Sequence, residues 1–247
     1  MTAGSDAIVM VSSIIHRQMK SSCDEFKTFR VVDVKGSKRQ GKISCVNAED
    51  LNCHPVEAAR NLLGVELRVE NVRVRVVEVE AYGGPEGGPW PDPAAHSYRG
   101  PTPRNRVMFG SAGRLYVYSS YGMHLCMNVT CGPDGEAAAV LLRAAELVDG
   151  EEAVRRRRGD RVASRKLVSG PGNLGQAIGA QLSDNGMDLF DGSSRIVLAA
   201  GRAGRPTDVA EGPRVGVSKA ADRPWRFWIP RSDAVSAYRR SPRAPAS

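Results

Sequence analysis

The chain is poor in the features that announce whole classes of protein. Its five cysteines (Cys23, Cys45, Cys53, Cys126, Cys131) form no CxxC pair and no even set. A chain of 247 residues buries a core without staples, so a disulfide framework is excluded and a reducing, cytoplasmic setting is expected. The four histidines (His16, His54, His96, His124) never fall at zinc-ligand spacing with those cysteines, and a metal site is not expected. No apolar run approaches the ~18 residues of a membrane-spanning helix, and no GxSxG nucleophile signature appears. The early apolar patch AIVMVSSII follows Asp6 rather than a basic cluster and lacks a small-residue cleavage site, so it does not read as a secretory signal.

Lysine is scarce in an uneven way. Residues 1–45 hold five of the seven lysines and three of the 28 arginines; from Val46 onward there are 25 arginines and two lysines, Lys166 and Lys219. That shift marks a boundary. Residues 1–45 read as a poorly ordered extension, and their composition admits a translation start near Val46. Asp24, Glu25 and Asp33 speak against a transit peptide, which avoids acids. The final stretch, 239–247, reads as a disordered tail, leaving 46–238 as the domain. Apolar residues at 41% and charged residues at 25% are ordinary for a globular chain. The net charge of +8 favours a polyanionic partner without identifying it.

The periodicities within 46–238 alternate between helix and strand. NAEDLNCHPVEAARNLLG reads as a helix, with Val56, Ala59, Leu62 and Leu63 at helical spacing. LRVENVRVRVVEVEAYGG alternates with period two and turns at Glu70–Asn71. The Gly/Pro-rich stretch between Gly83 and Arg106 is too long for a mere connector and is a functional suspect. GRLYVYSSYGMHLCMNVTCGPDG reads as two strands around a short turn, and AAAVLLRAAEL as a third. EEAVRRRRG is a short helix, and Pro171 opens another. SRIVLAAG and GPRVGVSKA read as strands.

Several residues carry chemistry. Strict alternation puts Val72, Val74 and Val76 on one face with Glu78 and Glu80; such a face would hold the carboxylates partly desolvated, as a general base requires. The duller alternative is a break in the pleat near Val76–Val77 that releases both acids to solvent. Tyr82, His96, Tyr118 and the turn-tip Tyr121 form an aromatic set suited to stacking a flat base, at ~1–3 kcal/mol per base, against the alternative that they fill a core. GPGNLG (Gly170–Gly175) fits GxGxxG, but without an evident βαβ unit it is not read as a dinucleotide fingerprint. Arg155–Arg158 reads as a solvated face.

Six ordered blocks then resemble one family. VEVEAYGG, AAHSYRGPTPRNRVMFG, GRLYVYSSYGMHLCMNV, AAAVLLRAAE, SGPGNLGQA and PRVGV…PWRFW are similar to the alkyladenine (3-methyladenine) DNA glycosylases, from about Asn47 to about Ser236. The resemblance implies an α+β fold: one compact mixed domain with a curved antiparallel sheet, flanking helices and a protruding DNA-intercalating hairpin. It implies cleavage of the N-glycosidic bond of alkylated or deaminated purines in double-stranded DNA, by a monomer with no cofactor and no membrane association, in a bacterial cytoplasm close to the nucleoid. By position, Glu80 matches the general base and Arg143 the residue that helps hold the attacking water, with a backbone carbonyl near Val215 as a third contact. Tyr82, His96 and Tyr118 match the walls around the extruded base, Asn128 the position that crowds a guanine amino group, and Tyr121 the side chain that fills the gap in the duplex. Met123 and His124 complete the implied pocket. Departures are His124, where an aromatic is common, and a longer 83–95 loop with Trp90 and four prolines. Neither Lys166 nor Lys219 lies in a matched site block, which predicts hydrolysis without a Schiff-base lyase step. Two competitors remain at this level: a lesion-binding relative that does not cleave, and an RNA-binding module whose tyrosines stack unpaired bases.

Overall fold

The computed structural model describes residues 30–32, 38–40, 46–201 and 204–246. The chain divides into two compact units, Met1–Ser44 and Cys45–Ser247. In the first, β1 (Arg30–Val32) pairs antiparallel with β2 (Lys38–Gln40); otherwise the expected disorder of this extension, and the start near Val46, lie outside the described residues.

The second unit is a mixed α+β domain built on an eight-stranded antiparallel sheet. Its elements run α1 (Pro55–Leu62), β3 (Glu66–Val69), β4 (Val72–Tyr82), β5 (Leu115–Ser120), β6 (His124–Thr130), β7 (Ala139–Asp149), α2 (Glu151–Arg158), α3 (Pro171–Ile178), β8 (Ile196–Ala199), β9 (Ala210–Gly212) and β10 (Arg226–Trp228). The spatial order is β5-β6-β7-β4-β10-β9, with β3 pairing both β4 and β8. The expected helix from Asn47 is interrupted: a 3₁₀ turn at Glu49–Leu51 precedes α1. Pro55 has no N–H to continue a helix but suits its first turn, and the His54 ring caps the new start by accepting from Val56 N at 3.2 Å.

One face of the sheet is apolar. Leu67, Val69, Val72, Val74, Val76, Val79, Leu115, Val117, Met127, Val129, Val140 and Leu142 are buried there with Ala58, Ala59 and Leu62 of α1, Val154 of α2, and Leu174 and Ile178 of α3. The GPGNLG segment serves this packing. A Cβ at Gly175 would lie 2.0 Å from the carbonyl oxygen of Leu125, and one at Gly172 would lie 2.8 Å from the ring of His124. Both glycines therefore let α3 press directly against β6. The arginine run is likewise structural: Arg157 and Arg158 donate to the carbonyls of Ala177 and Leu167 at 2.8 and 3.1 Å, and Arg155 donates to that of Val162 at 3.1 Å.

The long loop after β4 is pinned. Trp90 O accepts from Gly84 N at 2.8 Å, Asp92 accepts from Gly83 N at 3.1 Å, and the Ser97 hydroxyl donates to Gly83 O at 3.2 Å. The segment 213–220, expected as a strand, is irregular; only its lead-in, β9, joins the sheet. Arg214 explains the departure: its guanidinium turns inward to a fully buried pair with Asp92, at 2.5 and 2.9 Å, instead of continuing the ladder. The stretch 239–246 has neither helix nor strand. It is tethered, with Arg240 on Asp222 at 2.5 Å and Ser241 buried. No helix among the described residues is long and apolar enough to cross a membrane.

Candidate active site

The opposite face of the sheet is polar and aromatic. Residues directly opposite across paired strands share a face and stand side by side. The register sets Tyr116 opposite Asn128, Asn128 opposite Leu141, Leu141 opposite Glu80, and Glu80 opposite Arg226. A single buried row thus crosses five strands. Tyr118 and Cys126 form the neighbouring pair on β5 and β6, and Arg143 lies two residues beyond Leu141 on β7.

How Glu80 reaches this face corrects the alternation expected from sequence. The pairing of β4 with β7 slips between Val76 and Glu78, so that Val76 faces Ala145 and Glu78 faces Ala144 with Val77 as the extra residue. A bulge of this kind shifts the side-chain phase by one. Val79 and Ala81 consequently continue the apolar core begun by Val72, Val74 and Val76, while Glu78, Glu80 and Tyr82 take the other face. The pleat does break near Val77, but neither acid reaches solvent: both are 0% exposed.

The two carboxylates differ in their donors. Glu78 Oε1 accepts from Arg143 Nε (3.0 Å), Arg226 Nε (2.7 Å) and the Ser236 hydroxyl (2.8 Å), and Oε2 accepts from Ser236 N (2.7 Å). Glu80 Oε1 accepts from Val215 N at 2.7 Å; Oε2 accepts from the Tyr82 hydroxyl at 2.9 Å and lies 3.3 Å from Arg143 Nη1. A carboxylate offers about four lone-pair positions. Glu78 takes four donors, three on Oε1 and one on Oε2, whereas Glu80 takes two hydrogen bonds and one ionic contact. Val215 meets Glu80 through its amide N–H. Burial pulls against the Arg143 charge, but Glu80 and Glu78 outweigh it and raise its pKa.

Aromatic rings stand over Glu80. Burial, then the Glu80 charge, pushes the Tyr82 phenol well above its ordinary pKa, so it is a donor at neutral pH. The Arg214 guanidinium lies 4.7 Å from the centre of the Tyr82 ring. From the long loop, the His96 ring meets Tyr118 edge-on at 4.6 Å, and its Nδ1 lies 3.1 Å from the Tyr116 hydroxyl. Partial burial and then Arg104 lower the His96 pKa, which keeps the ring neutral near pH 7. Burial raises the Tyr118 pKa, with Cys126, Tyr116 and Glu80 adding to it. Asn128 is buried and donates from Nδ2 to Tyr116 O at 3.2 Å.

Three expected residues stand apart from this cluster. Tyr121, at 89% exposure, and Met123 occupy the tip between β5 and β6. Tyr121 has φ +51°, a strained conformation for a bulky side chain and one that recurs at functional sites. His124, assigned to the pocket with Met123, is exposed and packs its ring on Gly172 of α3; the crossing of α3 over β6 draws it away. The sequence reading missed Tyr116, Leu141, Arg226, Arg214, Asp92 and Ser236. Period-two spacing from Tyr118 and Arg143 points to Tyr116 and Leu141. Nothing local marks Asp92 or Ser236, whose charged partners Arg214 and Glu78 lie 122 and 158 residues away in sequence.

A buried carboxylate–arginine pair on the central strands β4 and β7, beside a cluster of aromatic rings on the polar face of the sheet, suits a flat, polar ligand. The similarities to known proteins narrow this. A family model described as Methylpurine-DNA glycosylase (MPG) matches residues 49–233. A protein of Nocardia farcinica named "Putative 3-methyladenine DNA glycosylase" is 59% identical over 205 residues, 83% of this chain and 97% of its own length. Proteins with the same name from Mycolicibacterium paratuberculosis and Mycobacterium sp. (strain KMS) are 60% and 58% identical, each over 81% of this chain and 96–97% of their own lengths. The chain belongs to the methylpurine-DNA glycosylase family, and its function is that of a DNA glycosylase in DNA repair.

Proposed function

We propose that this protein hydrolyses the N-glycosidic bond of alkylated purines, 3-methyladenine foremost, in double-stranded DNA, with Glu80 as the general base. The observation that carries the reading is the buried Glu80 carboxylate beside the aromatic cluster, whose Oε1 accepts a single donor, Val215 N–H, while Tyr82 and Arg143 hold Oε2. A water molecule held there can give its proton to Glu80 as it attacks the sugar carbon. The same negative charge stabilises the cationic sugar as the base departs. An alkylated purine is already positively charged and leaves without an acid. Neutral lesions such as hypoxanthine and ethenoadenine need a proton donor as well, and with 7-methylguanine they form the wider substrate panel.

The base must leave the helix to reach this depth, at a cost of a few kcal/mol. Tyr82, Tyr118 and His96 receive it, Asn128 crowds a guanine amino group, and exposed Tyr121 fills the vacated space in the duplex. Lys166 and Lys219 are both exposed, which favours hydrolysis without strand cleavage by a buried amine. We place the enzyme as a monomer in the cytoplasm, near the nucleoid. Single-turnover base release from a panel of lesion oligonucleotides tests the reading, with strand nicking scored in the absence of alkali. Release of none of the lesions, with binding retained, would favour the non-cleaving relative.

A further inference from the structure

Glu78 and Arg143 are held from outside the sheet by Ser236, which lies beyond the matched stretch 49–233. Every polar atom of Ser236 is engaged. Its N–H and hydroxyl donate to the two oxygens of Glu78 at 2.7 and 2.8 Å. The hydroxyl also accepts from Arg143 Nη2 at 3.1 Å, and the carbonyl accepts from Arg226 Nη2 at 2.6 Å. The bulge explains how this segment is seated. It turns Val77 onto the polar side, where Val77 and Ala144 pack with buried Ala234, and Ile229 and Val235 close the cluster. Farther along, Arg239 O accepts from Gly216 N at 2.9 Å and Arg240 pairs with Asp222. The same segment therefore fastens the loop whose Val215 N–H holds Glu80.

We propose that residues 234–240 form a strap that orients the catalytic pair, with Ser236 as a positioning residue acting through Arg143. The inference rests on Glu80 being the base. Arg143 spends Nε on Glu78, Nη1 on Glu80 and Nη2 on Ser236. Three fixed contacts leave a planar guanidinium one orientation. Removing the hydroxyl frees Nη2 and also vacates a position on Glu78 Oε1, which then draws Arg143 away from Glu80. The hydrogen bonds of Ser236 go to Glu78, Arg143 and Arg226, all on the sheet beside the aromatic walls, rather than to the walls themselves. The loss therefore falls on the chemical step and spares DNA binding.

The experiment uses the full chain as wild type, Ser236→Ala and Ser236→Thr. It measures single-turnover release of 3-methyladenine with enzyme in excess, affinity for a duplex carrying a tetrahydrofuran abasic analogue, and thermal unfolding. For Ser236→Ala the rate should fall about 10–100-fold, as for a lost hydrogen bond to a charged group, with abasic-duplex affinity within about twofold. Ser236→Thr, which keeps the hydroxyl, should recover most of the rate. A Ser236→Ala rate within about twofold of wild type overturns the strap, as does a Thr variant that falls as far as the Ala variant, or an equal loss of binding. Should Ser236→Ala fail to fold, Ser236→Cys, similar in size and a weak donor, is judged by the same criteria. A wild-type protein that releases no base contradicts the glycosylase reading itself; wild-type release matched by Ser236→Ala contradicts the strap alone.

Discussion

Glu78 and Glu80 sit two residues apart on one strand and face, both fully buried, yet their surroundings assign them opposite work. Glu78 is gripped by two arginines and both donors of Ser236, four hydrogen bonds in all. It behaves as a fixed counter-ion. Glu80 has fewer donors: a phenol, an amide and one arginine nitrogen, with a single donor on Oε1. Burial alone does not make a carboxylate a base; the count of donors around it decides whether it can take a proton from water.

That contrast can be broken by substitution. Glu80→Gln is expected to lower single-turnover excision by 10³-fold or more, in the upper range of general-base contributions, while abasic-duplex binding and thermal stability stay close to wild type. Glu78→Gln should do the reverse in kind: leaving Arg143 and Arg226 without their counter-charge costs about 3–5 kcal/mol, read as a lowered urea midpoint. A comparable loss is expected for Asp92→Asn, which strands buried Arg214. Burial pushes the Asp92 pKa up, but the hydrogen bonds and charge of Arg214, helped by the Gly83 and Ala94 amides, hold it below the ordinary value. A depressed carboxylate stabilises fully above the unfolded pKa of ~3.9 and loses that contribution as pH falls through its folded value. Urea midpoints should therefore show the gap between wild type and Asp92→Asn constant from pH 7 to about 4 and shrinking below. Tyr82→Phe keeps the stacking ring but removes one donor from Glu80, and excision should drop about tenfold. Arg156→Ala should be nearly silent, within about 0.5 kcal/mol in stability, because its pair with Glu152 is exposed.

The strands and helices were largely legible because their hydrophobic periods are local. The hairpin turn at Glu70–Asn71 and the helix opened by Pro171 lie where the sequence puts them. The period leaves two readings, unbroken alternation or a break near Val76–Val77. The break is there, as one extra residue at Val77, but it turns both acids onto a buried polar face instead of releasing them to solvent. No residue type announces that outcome. Glu80, Tyr82, Arg143, Tyr118, His96 and Asn128 were named by block resemblance, and the fold brings them together. The groups that orient them were not legible. Asp92 with Arg214 and Ser236 with Glu78 are joined across 122 and 158 residues, and such long-range pairs leave no spacing to read. The resemblance assigns His124 to the pocket, at a position where an aromatic is common; here its ring lies against Gly172 of α3.

The division of labour between the two acids is tested most directly by 3-methyladenine release under single-turnover conditions, with wild type, Glu80→Gln and Glu78→Gln each confirmed folded and bound to the abasic duplex. Excision abolished by Glu80→Gln, with measurable release surviving in whatever Glu78→Gln protein remains folded, is the predicted result. Wild-type release by Glu80→Gln, or complete loss in a stable, DNA-binding Glu78→Gln protein, would contradict it.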